Sequence, residues 1–130
     1  MVRAWAAGMA PDRAWMAAAV VAASDAYALA DHLGVDHGAL REILGAGALA
    51  MPYALQKMSA MDTGQVEPGF AIELALKDLR LATTDGGYGS PLLDAVTRRF
   101  EAADAAGLAA LDVAGIHLLQ REGTDRPDDA

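Results

Sequence analysis

"GFAIELALKDLRLA", residues 69–82, is apolar at most positions and is interrupted by a Lys-Asp pair. Its spacing predicts a helix from about Phe70 to Thr84. Phe70, Leu74, Lys77 and Leu81 follow i, i+4, i+7 and i+11, which places them in one narrow stripe. Ile72, Ala75, Leu76, Leu79 and Ala82 form a second apolar face. A helix with two apolar sides packs on one and offers the other, and Lys77 lies on one of these sides. Two readings of Lys77 follow. In the first, Glu73 pairs with it at i, i+4 while the stem snorkels to water, an interaction of about 0.2–0.5 kcal/mol. In the second, the lysine points into a cleft at the domain edge, where an anion or a carbonyl would bind.

The same reading extends along the chain. Pro11 suits a first helical turn, with Asp12 adding negative charge near the N-terminus, and the pattern then runs to Leu33 and stops at Gly34. "AWMAAAVVAA", Ala14–Ala23, is apolar all round, as in a helix buried on most sides. Asp36 can cap a short helix through Leu44, and a further helix is expected over about Ala48–Met61, with Pro52 in its first turn. "DTGQVEPG" and "DGGYGSP" are loops. Ser90 and Pro91 open a helix to about Ala106, Gly107 ends it, and a last helix spans roughly Leu111–Arg121. No alternating run is long enough for a strand. The expected fold is all-α with about six helices, in one domain over residues 12–121, between an N-terminal segment (1–11) and a flexible tail (122–130).

Composition narrows the function. Hydrophobic residues make up 54 % of the 130, which supports a folded core. A formal net charge of -8 disfavours phosphate backbones and anionic lipid, so neither nucleic acid nor membrane is expected as a partner. The apolar run is shorter than the ~20 residues of a membrane span. It continues in helical spacing through Leu33, which argues against a signal peptide. The sequence has no cysteine, which excludes disulfides and thiolate chemistry and fits a reducing cytoplasm. "GAGALA" (45–50) matches a dinucleotide fingerprint in letters only, because "ALREIL" before it is helical and the motif needs a strand there. His32, His37 and His117 share no ligand spacing, so no metal is expected. Asp25, Asp31 and the acids near Glu101–Asp104 suit solvated helix faces. Local chemistry leaves Lys77 as the candidate.

The opening stretch also carries a resemblance. F-x6-K-D-L-x-L-A, formed by Phe70, Lys77, Asp78, Leu79, Leu81 and Ala82, resembles the signature helix in the C-terminal domain of the β-hydroxyacid dehydrogenases. That family includes 3-hydroxyisobutyrate dehydrogenase, with 6-phosphogluconate dehydrogenase more distant. "DAYALADHLGVD" (25–36), "GSPLLDAV" (89–96) and "GLAALDVAGI" (107–116) are similar to further family segments in matching order.

The resemblance implies an all-α domain led by a long interdomain helix and working beside a Rossmann domain that binds NAD or NADP. No strand–glycine-loop–helix unit is legible in this sequence. The chain alone is therefore expected to be inactive, with a Rossmann domain and a small hydroxy acid as partners and a homodimer as its assembly. By the same resemblance Lys77 and Phe70 would bind cofactor and Asp78 would fix its helix. The family's general-acid lysine falls near Met9, with Asp12 in the place of its asparagine. Arg3 and Arg13 lie close, but arginine keeps its proton at neutral pH. Imine-reducing relatives use another donor. A non-catalytic self-association module on the same scaffold is the alternative.

Overall fold

The computed structural model describes the backbone of residues 2–123 and the side chains of residues 10–120. The described residues form six α-helices and one 3₁₀ turn: α1 (Val2–Leu33), α2 (His37–Gly45), α3 (Pro52–Thr63), α4 (Ile72–Ala82), α5 (Pro91–Ala105), the 3₁₀ turn (Val113–Ile116) and α6 (His117–Gly123). Among the described residues no strand forms, and the one β-bridge joins Ala71 to Asp112.

α1 is the axis of the bundle. It packs on α3, α4, α5, α6 and the 3₁₀ turn. Its alanines explain how one helix can serve so many neighbours. Ala14, Ala17, Ala23 and Ala30 are buried, and their short side chains let the other backbones approach closely. Val20 and Tyr27 fill the remaining space against Leu79, Ile72, Phe100 and Ile116. No helix among the described residues is long and apolar enough to cross a membrane.

Local signals fix several boundaries as expected. Asp36 caps α2 by accepting from the Ala39 amide, and Ser90 caps α5 by accepting from the Leu93 amide. Gly34 and Gly107 adopt φ of 73° and 83° just past helix ends, a left-handed geometry that costs glycine little.

Three expectations are corrected. α1 does not start at Pro11 but runs through it from Val2; the alanine-rich flanks favour helix strongly enough to offset one lost backbone hydrogen bond. α4 starts at Ile72, so Phe70 precedes the helix at a bend. There the Val113 amide donates to the Phe70 carbonyl, and the Ile72 and Glu73 amides donate to the carbonyls of Leu111 and Ala109. These carbonyls satisfy amides that a side-chain cap would otherwise have to serve. The same commitment breaks the expected helix over 111–121: Asp112 is held in the bridge, the Leu111 carbonyl accepts from the Ile72 amide, and regular α-helix starts only at His117.

Candidate functional site: a buried aspartate hub and an arginine-capped phenylalanine

The short bridge at Ala71 brings α4 beside the chain entering the 3₁₀ turn, and Asp112 sits at the crossing. Its carboxylate is 1 % exposed and accepts five hydrogen bonds. Lys57 Nζ, from α3, reaches both oxygens at 3.1 and 2.9 Å; the amides of Gly69, Phe70 and Ala114 each donate at 3.0 Å. Burial pushes the carboxyl pKa up, but the Phe70 and Ala114 amides and the Lys57 ammonium outweigh it and hold Asp112 below the usual carboxylate range. Lys57, whose side chain is 12 % exposed, also lies 5.2 Å from the centre of the Tyr53 ring. A groove of about 680 Å³ opens beside the hub, lined by Lys57, Gln65, Glu67, Gly69 and Asp112.

Phe70, fixed at its amide by this hub, is half-buried with the Arg13 guanidinium 4.8 Å above its ring. Arg13 comes from α1, and its Nε lies 3.7 Å from the Asp78 carboxylate on α4. One arginine therefore joins α1, the bend and α4. Tyr53 stands nearby: burial and then the Asp112 charge push its phenol pKa up, and Arg13 opposes them.

Lys77 stands apart from this cluster. It is exposed on the outward face of α4, between Leu74 and Leu81, which are 47 % and 48 % exposed. Among the described residues no Glu73–Lys77 ion pair forms, so the pairing weighed from sequence is absent. The stripe is an open wall with a cation in its middle. The Met9 side chain lies outside the described residues. Asp12 lies 3.9 Å from Arg13 and is mostly exposed.

Sequence reasoning missed Lys57, Asp112 and Tyr53. Lys57 and Lys77 are the chain's two lysines, which was a signal of sorts, but no spacing rule links residues 57 and 112. The acids read as solvated faces are mostly paired: Asp25 with Arg99 at 3.0 Å, Asp31 with His37 at 2.6 Å, and Glu101 with Arg80 at 3.7 Å. Among the described residues no group of three or more His, Cys, Asp or Glu is placed to hold a metal ion.

Comparison with known proteins identifies the family and the fold. The sequence profile described as "NAD-binding of NADP-dependent 3-hydroxyisobutyrate dehydrogenase" matches residues 13–119. Among solved structures, 3-hydroxyisobutyrate dehydrogenase from Salmonella typhimurium superposes with a TM-score of 0.78 at 20 % identity, covering 87 % of this chain and 41 % of that one. The Mycobacterium tuberculosis 3-hydroxyisobutyrate dehydrogenase, solved with L-serine, gives 0.76 at 22 % identity over 88 % and 43 %. Psf3 in complex with NADP+ and 2-OPP gives 0.74 at 12 % identity over 85 % and 40 %. This chain thus spans less than half the length of each of these three. A search of curated protein sequences finds no match.

Proposed function

We propose that this chain, which belongs to the NAD-binding family of NADP-dependent 3-hydroxyisobutyrate dehydrogenase, forms the helical wall of a nicotinamide-dependent dehydrogenase cleft. A Rossmann domain from outside these 130 residues completes the cleft, and the substrate is a small hydroxy acid or its carbonyl form. The reading rests chiefly on the outward stripe of Leu74, Lys77 and Leu81 running on from the Phe70 bend. An exposed apolar strip with Lys77 at its centre fits a partly apolar, anionic ligand such as NAD or NADP.

The nicotinamide, when bound, supplies the redox step; the chain's own residues position it. Phe70 offers a ring whose attitude is fixed twice, by Asp112 at its amide and by Arg13 above its face. Lys77 offers a positive charge on a helix face that Asp78, through Arg13, ties to α1. Methionine at position 9 has no proton to give, so the family's lysine donor is lacking at that place. Mixing the chain with a separately produced Rossmann domain of the family tests the reading. NADPH is expected to bind more tightly to the mixture than to the Rossmann domain alone, with Lys77→Ala reducing that affinity at least tenfold. An affinity indifferent to Lys77→Ala would remove the lysine from the site.

A second reading, self-association, is favoured by a different face. Trp15 and Leu92, 71 % and 66 % exposed, flank a groove of about 440 Å³ floored by Ala18, Ala19 and Ala22. An exposed apolar groove of this kind suits a second copy of the chain. Light scattering at micromolar concentration should give a dimer mass, and Ala18→Arg should shift it to the monomer. A monomer before mutation would count against this interface.

A further inference from the structure

We propose that His37 is a protonation-dependent latch that fastens α2 to the rest of the bundle. Both ring nitrogens of His37 face carboxylates. Nδ1 lies 2.7 Å from the Asp62 carboxylate on α3, and Nε2 lies 2.6 Å from the Asp31 carboxylate on α1. Ionised carboxylates only accept hydrogen bonds, and a neutral imidazole has one N–H to donate. Both contacts are therefore satisfied together only by the imidazolium.

The surroundings reinforce the charged form. The His37 ring stacks on the Tyr27 ring of α1, with centroids 3.8 Å apart and planes 7° from parallel. The Tyr27 hydroxyl donates to Asp62 at 2.7 Å, which orients that carboxylate, and Arg41 of α2 approaches it at 3.7 Å. His117, from α6, meets Tyr27 edge-on at 5.9 Å. With His37 protonated, Asp31, Asp62, His37 and Arg41 sum to zero charge; without that proton the cluster is left negative.

Apolar packing holds α2 only lightly. It contributes no fully buried residue, and its apolar hold on the core is through the half-buried Leu40 and Leu44. Burial opposes the His37 charge, but the hydrogen bonds to Asp62 and Asp31 and their charges prevail and raise its pKa above the ordinary imidazole value. A raised histidine contributes stability that is complete below its unfolded pKa, ~6.5, and is lost as pH rises through the folded value. Burial likewise opposes ionisation of Asp62, but its bonds from His37 and Tyr27 lower its pKa, so its contribution fails only as pH falls below the ordinary carboxylate range. The latch is therefore closed in mildly acidic solution and opens on the alkaline side.

The test is an NMR titration of the full chain from pH 5 to 9, following the His37 ring and amide exchange in α2. The His37 midpoint is expected above ~6.5. Protection of α2 amides should fall about tenfold or more across that midpoint, the equivalent of one charge-assisted hydrogen bond, while α4 and α5 keep theirs. Asp31→Asn should lower the midpoint and leave the core folded, because Asp31 is exposed. His37→Ala should abolish the pH dependence, with α2 weakly protected throughout. A His37 midpoint at or below the ordinary value, or α2 protection that ignores the titration, would overturn the proposal.

Discussion

Replacing Asp112 by alanine is expected to cost about 3–5 kcal/mol of folding stability, as is typical when one partner of a buried ion pair is removed. The substitution strips acceptors from the amides of Gly69, Phe70 and Ala114, and it strands the Lys57 ammonium in a largely buried position. Asp112→Asn keeps the shape and an acceptor oxygen, so it should cost less, with the charge component lost. The sign of the pH effect follows from the depressed carboxyl. Its contribution is present above the ordinary carboxylate pKa, ~3.8 to 4, and is lost as pH falls through the lower folded value. Urea titrations of both variants at pH 7 would measure the costs. An alanine variant within 1 kcal/mol of the parent would show that water replaces the carboxylate without penalty.

A loss of similar size, about 3–5 kcal/mol, is expected for Phe100→Ala, for an unrelated reason. α5 buries only Val96, Thr97, Phe100 and Ala103, so one ring supplies most of its large apolar contact. Phe100 is fully buried, in a core cluster that also holds Val20 and Leu79. Close-packed surroundings relax only partly into the vacated space, so a cavity term should persist. Thermal unfolding of the variant checks this. Phe100→Leu, which keeps much of the volume, should recover most of the loss; equal damage from both would indicate that ring geometry, not volume, holds α5.

The two predictions mark where the sequence was legible. The core of α4 was readable because Ile72, Ala75, Leu76 and Leu79 obey helical spacing within eight residues. Asp36, Ser90, Gly34 and Gly107 were readable for the same reason: a cap or a stop acts over three or four residues. The Asp112 hub was not. It joins residue 57 to residue 112 and residue 70 to residue 113, and no local periodicity encodes such pairings. Phe70 shows the consequence. On a wheel it belongs to the stripe of Lys77, yet tertiary hydrogen bonds pull it out of the helix and under Arg13. The His37 clamp escaped notice likewise, because Asp31, His37 and Asp62 meet only once three helices have docked.

The proposed function requires the Phe70 bend and the outer face of α4 to meet a nucleotide-bearing domain. The direct measurement is amide chemical-shift mapping of the isotopically labelled chain on addition of a Rossmann domain of the family loaded with NADP+. Shifts are expected to concentrate at Phe70, Leu74, Lys77 and Leu81 and on α1 around Arg13, and to be weakened by Lys77→Ala. Shifts confined to the groove beside Trp15 and Leu92, or none at saturating partner, would contradict it.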